Sequence, residues 1–367
     1  MIGTRGVPAT FGGVERAVEE LAARLADAGH QVTVYCRNGY SPTRAPTHRG
    51  IRLRYLPALD TKHGEAISHS LLATLDAIVR RYDVVHFHAL GPGLCAPLAR
   101  AGGLRIVTTV HALDFRREKW GGVAQRVLRL GAWVASRFPH RTLVVSRQLQ
   151  EYFSAEYGCD ATYVPNGVEI PPDVPLSPAS ERLRDGHLLF LGRLVPEKGV
   201  HTLIEAYRGV DTRVPLVIAG PASHSSDYER RLRELAAADP RIAFVGPVYG
   251  DAKVDLVRNA YAFCQPSTLE GLPIVLLEVM AERICPIVSD IPEHLETVSA
   301  TASETAAIVF RAGDPESLRA ALETALARPD LVDELGSAAR EVVEQRYDWD
   351  DASARVASTY EQVARRR

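Results

Sequence analysis

A chain of 367 residues, 46% apolar and with a formal charge of −2, has room for two domains of ordinary size and reads as a globular protein. No run of about 18 consecutive apolar residues and no basic segment leading into an apolar one is present, so neither a membrane-spanning helix nor a signal peptide is expected, and the cytoplasm is the expected compartment. Five scattered cysteines (Cys36, Cys95, Cys159, Cys264, Cys285) without C-x-x-C spacing argue against a disulfide framework or a zinc site. The near-neutral total hides an asymmetry. Residues 1–165 carry 21 Lys/Arg against 13 Asp/Glu, whereas residues 166–367 carry 22 against 32. Two halves of opposite charge suit different partners.

The chain opens with MIGTRGVPATFGGVERAVEELAARL, in which Gly12-Gly13 feed a helical pattern. A Gly-rich turn of this kind normally follows a buried strand, yet only Met1-Ile2 precede the first glycine. The expectation is a truncated first strand, a poorly paired sheet centre and a natural start further upstream. β-rich runs follow at 31–36, 51–56, 83–88, 105–110 and 141–146, with a helix at 66–80; Val-rich strands alternating with helices predict buried parallel sheet. The Pro-rich EIPPDVPLSPAS (169–180) reads as a linker, after which the pattern restarts at 187–194 and continues through strands at 215–220, 242–246, 260–267, 285–290 and 306–310. Helices fill the gaps near 199–209, 227–238, 251–258, 273–282 and 315–328, and two more close the chain near 330–346 and 351–366. Two consecutive doubly wound domains result. Such sheets bind ligands beyond the carboxyl ends of their strands.

Several residues stand at those ends. In LFLGRLVPEKG (189–199), Arg193 and Lys198 suit a cationic clamp on a diphosphate, against the plainer reading of two surface charges. In PSTLEGLPIVLLEVMA (266–281), Glu270 precedes Gly271, Leu272 and Pro273 at a helix start, and Glu278 interrupts an apolar helix. A carboxylate there is costly unless a donor or a ligand such as a ribose satisfies it. In TTVHALDF (108–115), His111 and Asp114 lie just past a strand, where His111 suits contact with a ligand carbonyl or sugar hydroxyl. His86 and His88 share a face, but no third ligand is evident and no metal site is assigned. No Ser-His-Asp spacing or Walker-type loop occurs. The stretch 116–141 holds seven Lys/Arg and one Glu, with Val123, Val127, Leu130 and Val134 as a stripe beside Trp120 and Trp133. It reads as a helix covering the sheet, or as contact with an anionic membrane or lipid diphosphate-linked acceptor. Nucleic acid is not an expected partner.

In order, FGGVE, TVHALDF, VPNGVE (164–169), LFLGRLVPEKG and EGLPIVLLE resemble the retaining glycosyltransferases of family GT4. The resemblance spans essentially the whole chain, and the paired glutamates match that family's E-x7-E signature. It implies a GT-B fold, two Rossmann-like domains facing across a cleft: 1–168 on the acceptor side, a linker at 169–184, a nucleotide-sugar domain at 185–346, and 347–367 crossing back onto the first. The opening GTRGVPATFGG and DTKHGEAISHSLLATL (60–75) resemble a bacterial surface-polysaccharide subgroup with rhamnosyltransferase-like members.

The implied reaction is transfer of a hexosyl unit from a nucleoside diphosphate sugar to a glycan or lipid-linked hydroxyl, with retention and without metal or cofactor. Implied roles are Arg193 and Lys198 on the diphosphate, Glu278 on the ribose, and Glu270 and His111 on the transferred sugar. Gly271, Leu272 and Pro273 lie at the donor, and the Gly12–Gly13 amides approach donor phosphate and acceptor. Asn166 and Gly167 lie where the domains join, and Tyr347 and Trp349 on the returning segment. Intact site residues argue against an inactive assembly or regulatory protein. A sugar-nucleotide epimerase is the rival enzyme, while nothing suggests a phosphorylase's phosphate or pyridoxal site.

Overall fold

The computed structural model describes residues 1–365 except 11, 41–43, 60–63, 117–120, 173–175, 223–225 and 302–303. Phe11 of the opening motif, residues 60–63 and Trp120 therefore lie outside the described residues. The chain forms two compact units, Met1–Gly167 with Trp349–Arg367, and Val168–Asp348.

The first unit begins with α1 (Gly13–Asp27), β1 (Thr33–Arg37), β2 (Thr47–His48), β3 (Ile51–Leu56), α2 (Gly64–Arg80) and β4 (Val84–His88). It continues with α3 (Leu90–Gly93), α4 (Ala96–Ala101), β5 (Arg105–Val110), α5 (Gly122–Arg137), β6 (Arg141–Val144), α6 (Arg147–Tyr157) and β7 (Thr162–Tyr163). Two sheets form, ordered β1-β3-β2 and β4-β5-β6-β7. Residues 1–5 lie between them. The Ile2 amide donates to His86 O at 2.9 Å and Ile2 O accepts from His88 N at 2.8 Å, while Met1 O and Arg5 O accept from Tyr35 N and Arg37 N. Regular pairing amounts to the single bridge Ile2–Phe87, yet Ile2 is fully buried in the core with Tyr35, Val85, Phe87 and Ile106. The backbone neighbours thus find partners on both sides of a segment too short to be a strand.

Two helices of this unit present faces that periodicity does not foretell. On α5 the buried residues are Gly131, Ala132, Val134 and Ala135, while Val123 and Leu130 of the expected stripe are exposed. A Cβ on Gly131 would stand 2.6 Å from Leu90 O, so small residues let α5 approach α3 closely, and the large ones turn outward. Likewise α2 buries His69, Ser70, Ala73, Thr74 and Ala77 and exposes Ile67, Leu71, Leu72, Leu75 and Val79.

The second unit holds α7 (Ala179–Asp185), β8 (His187–Leu191), α8 (Val200–Arg208), β9 (Leu216–Ala219), α9 (Ser226–Ala236), β10 (Ile242–Gly246) and α10 (Gly250–Arg258). Then come β11 (Ala260–Gln265), α11 (Ile274–Ala281), β12 (Cys285–Ser289), α12 (Pro292–Val298), β13 (Ile308–Phe310), α13 (Pro315–Ala327) and α14 (Pro329–Arg346). The end of the segment read as a linker is helical, as α7. The six strands run parallel in the order β10-β9-β8-β11-β12-β13. Numbered within the unit this is 3-2-1-4-5-6, the Rossmann order, whose direction reverses between β8 and β11.

Finally α15 (Trp349–Arg365) returns the chain to the first unit, packing on α1, β4 and β5. At the crossing, Val168 N donates to Tyr347 O at 2.7 Å, and a Cβ on Gly167 would stand 2.4 Å from Trp349 N.

Candidate active site

In a sheet of Rossmann order the ligand crevice opens beyond the carboxyl ends of the strands at the switch point, here β8 and β11. The residues singled out in the second unit stand there. After β8 come Gly192, Arg193 and a 3₁₀ turn at Pro196–Lys198; after β11 come Pro266 to Pro273, which caps α11.

The two loops are fastened together. Thr268 N donates to Glu197 O at 2.9 Å. Gly199 adopts a φ of +66°, and a Cβ there would stand 2.0 Å from Pro266 O, so only glycine permits this approach. A similar constraint holds at Gly220 after β9, where φ is +141° and a Cβ would stand 1.8 Å from Gly192 O.

On this scaffold Lys198 and Glu270 meet as an ion pair, with side chains 18% and 10% exposed. Glu270 Oε1 accepts from Lys198 Nζ, from Gln265 Nε2 at 2.8 Å and from Ser267 Oγ at 2.7 Å. Burial pushes the Glu270 carboxyl up, but Lys198, the field of His294 and the Ser267 hydroxyl outweigh it and hold the group at about 2. All three bonds converge on Oε1, and Oε2 makes no bond among the described residues. Behind them Ser289 Oγ donates to Ser267 O at 2.5 Å and lies 2.9 Å from His294 Nδ1. Burial depresses the His294 imidazole to about 4. Gln265 Oε1, both Glu197 carboxylate oxygens and His294 Nε2 are buried without a protein partner. Buried polar atoms are ordinarily hydrogen-bonded, so these orphans are groups that a polar ligand could satisfy.

Glu278 lies on α11, where its Oε2 accepts from Lys253 Nζ on α10 at 2.6 Å; the two side chains are 23% and 27% exposed. The carboxylate in the apolar helix therefore has a protein donor. Gly271, Leu272 and Pro273 are buried at the start of α11, and Arg193 is half-buried on its loop.

In the first unit His111 follows β5 and is 8% exposed. Its Nε2 lies 3.2 Å from His88 Nδ1, and the rings stack at 5.5 Å. His86 Nε2 meets Thr109 Oγ1 at 2.7 Å and His86 Nδ1 meets the Tyr360 hydroxyl of α15 at 2.6 Å. Burial drives all three imidazoles down, His111 to about 4, where Asp114 pulls slightly the other way. The cluster is uncharged at neutral pH. His88 thus bonds His111 directly, while His86, bonded to Thr109 and Tyr360, packs its ring on His88 at 4.1 Å. Gly12, φ 89°, is the N-cap of α1, and Arg5 N and Ala9 N bond the Glu15 and Glu19 carboxylates of that helix.

The sequence reading named the central residues but not their supports. Ser267 stood inside a quoted motif and Gln265 in the strand just before it; Lys253, Ser289, His294 and Tyr360 come from distant helices and strands, with no signal to single them out.

Two family models account for most of the chain. Residues 11–170 match Glycosyltransferase Family 4 and residues 178–342 match Glycosyl transferases group 1. The chain is a GT4-like glycosyltransferase of the GT-B fold. As such it transfers a sugar from a nucleoside diphosphate sugar to an acceptor. Among similar curated proteins, a phosphatidyl-myo-inositol mannosyltransferase of Mycolicibacterium smegmatis is 29% identical, over 96% of this chain and 91% of its own. A Mycobacterium tuberculosis glycogen synthase is 26% identical over 96% and 92%. The fold of this glycosyltransferase also matches a sucrose-phosphate synthase from Thermosynechococcus elongatus, at a TM-score of 0.82 and 21% identity over 99% of this chain and 98% of that one. It matches Anabaena HepE in complex with UDP and glucose at 0.80 and 18%, over 96% of each chain.

Proposed function

We propose that this glycosyltransferase moves a hexosyl unit, with retention and without a metal ion, from a nucleoside diphosphate sugar to a hydroxyl of a glycan or lipid-linked acceptor. The observation that carries the reading is the Lys198–Glu270 pair at the Rossmann switch point, with one carboxylate oxygen saturated and the other open to a sugar hydroxyl. A carboxylate held near 2 is a weak base, so Glu270 positions the sugar and does not take the acceptor's proton at neutral pH. Arg193, Lys198 and the amides at the start of α11 neutralise the charge growing on the departing nucleoside diphosphate. Glu278, shared with Lys253, receives the ribose hydroxyls. His111 and the Gly12–Gly13 backbone serve the sugar and phosphate from the first domain. The acceptor attacks from the leaving-group side, and a donor phosphate oxygen takes its proton.

A thermal-shift screen of nucleoside diphosphates, followed by incubation of the matching sugar nucleotide with and without acceptor, tests the reading. Donor consumed only with acceptor, giving a product of unchanged anomeric configuration, supports it. Isomerised donor without acceptor would make the protein an epimerase, and no turnover would make it a scaffold.

The finer assignment to bacterial surface-polysaccharide enzymes with rhamnosyltransferase-like members rests on the GTRGVPATFGG opening. For partners, we place the first domain against an anionic membrane. No helix among the described residues is long and apolar enough to cross one. On α5, Val123, Leu130 and Trp133 are 76%, 51% and 45% exposed among the exposed Arg126 and Arg137. On α2, Ile67, Leu71, Leu75 and Val79 repeat every fourth residue on the open face, ending at Arg80 and Arg81. Both helices pack against α3, and apolar side chains rimmed by arginines suit an anionic bilayer surface.

A further inference from the structure

A cavity of different chemistry lies in the first domain, partly within the basic stretch 116–141. Between the 3₁₀ turn at Asp114–Arg116, α5 and α6 is a hollow of about 530 Å³, lined by Phe115, Arg116, Arg129, Tyr152, Glu156 and Tyr157, with Gln125 at its side. Two arginines in this wall lie over aromatic rings. The Arg116 guanidinium sits 5.2 Å from the Tyr152 ring centroid, and that of Arg129 sits 5.6 Å from Phe115. At these distances each guanidinium is attracted to the face of its ring, which restricts the positions the long side chain can take.

Neither arginine has a described carboxylate within ion-pair distance, although Glu156 lines the same hollow. Among the described residues, two exposed guanidiniums against one carboxylate give the lining of the hollow a net positive charge. Tyr152 and Tyr157 meet edge to face at 5.9 Å, which gives an aromatic wall. Burial and the Tyr152 hydroxyl push the Tyr157 phenol well above its ordinary range, so it stays protonated and able to donate.

We propose that this hollow binds an oxyanion-bearing saccharide, a sugar phosphate or a uronate, as part of the acceptor. Arg116 and Arg129 grip the oxyanion through charge-assisted hydrogen bonds. The aromatic wall covers the apolar face of a sugar ring. Glu156 and Gln125 take hydroxyls that the arginines cannot, since a guanidinium has no acceptor. A bare anion site would need neither the aromatic wall nor a carboxylate, and a neutral sugar site would need no paired arginines. The ligand's role as acceptor rests on the transferase reading; its binding does not.

The experiment is calorimetric titration of the full chain with glucose 1-phosphate, with glucuronate and with neutral methyl glucoside. It is repeated on Arg116→Ala, Arg129→Gln and, as a control, Lys198→Ala. Both arginines are exposed, so the variants should melt like the parent. The expected result is binding of one or both anionic sugars over the neutral one, weakened roughly tenfold or more by either arginine substitution and unchanged by Lys198→Ala. Preference for the phosphate or for the uronate identifies which oxyanion the hollow takes. Equal affinity for all three sugars, absence of binding, or loss in Lys198→Ala with the arginine variants intact overturns the proposal. Failure of the transferase reading would instead appear as binding without sugar transfer.

Discussion

His88 Nδ1 and His111 Nε2 lie 3.2 Å apart in the buried first-domain cluster, and one of the two must carry the shared proton. His88 Nε2 is buried with no partner. An orphaned acceptor is better tolerated than an orphaned N–H, so the His88 proton sits on Nδ1 and His111 accepts through Nε2. His111 then carries its own proton on Nδ1. The arrangement holds only while both rings are neutral.

Acid should undo this arrangement. Burial lowers the imidazoles of His86, His88, His111 and His294 below the ordinary 6.5, two of them to about 4. The unfolded chain therefore takes up protons first, so stability is full above about 6.5 and falls as pH drops from there toward 4. Melting temperature against pH should decline through that window, with a shallower decline in His88→Phe. A parallel decline in both would show that the cluster contributes nothing to it.

Replacing Lys198 or Arg193 by alanine should reduce kcat/KM by about a hundredfold while leaving circular dichroism unchanged. Unchanged donor affinity and turnover in both variants would remove the clamp. Lys198→Ala should also lower stability at every pH above about 4.5, with the difference from the parent fading as pH falls toward 2, because Glu270 loses a cation that helps hold it near 2. In the parent that contribution is present above the unfolded value of about 4.5 and is lost only as pH falls through about 2.

Gly199→Ala should cost about 2 kcal/mol or more in urea unfolding, combining a left-handed φ with a collision against the Pro266 carbonyl. Donor binding should fall with it, since the same contact sets the distance between the Lys198 and Glu270 loops. Near-parental stability would mean that the loops can separate freely.

Glu278→Ala should weaken nucleoside diphosphate binding about tenfold in a titration, whereas Lys253→Ala should weaken it less. If both variants bind like the parent and only melt earlier, the 2.6 Å ion pair is structural and the ribose role fails.

Co-sedimentation with vesicles containing anionic lipid should pull down the protein, and neutral vesicles should retain far less. Substituting Leu71 and Leu75 with serine should abolish the difference without lowering stability, because both are exposed. Equal, negligible binding to both vesicle types would end the membrane assignment.

Much of the second domain was legible because its strands are continuous apolar runs ended by Gly, Pro or charged loops, as in HLLFLGRL and AYAFCQPS. Strand order puts the loops that carry Arg193, Lys198 and Glu270 side by side after β8 and β11, where Lys198 and Glu270 pair. Less could be read where packing is set by small residues. Gly131 and Ala135 on α5, and Ala73 and Ala77 on α2, take the inner face because they allow close approach, which hydrophobic periodicity scores the wrong way round. Two-residue strands such as Thr47–His48 and Thr162–Tyr163 carry no periodic signal at all. Partnerships such as Lys253 with Glu278 or Tyr360 with His86 depend on tertiary proximity alone.

The return of α15 bears on the order in which the molecule can be made. Ala352, Val356 and Val363 fill the first domain, and Tyr360 bonds its His86, yet a ribosome reaches them only after translating the whole second domain. The second domain is continuous in sequence and can fold as it emerges. The first must wait with an apolar seam uncovered, a long interval in which a chaperone or a membrane surface has something to hold.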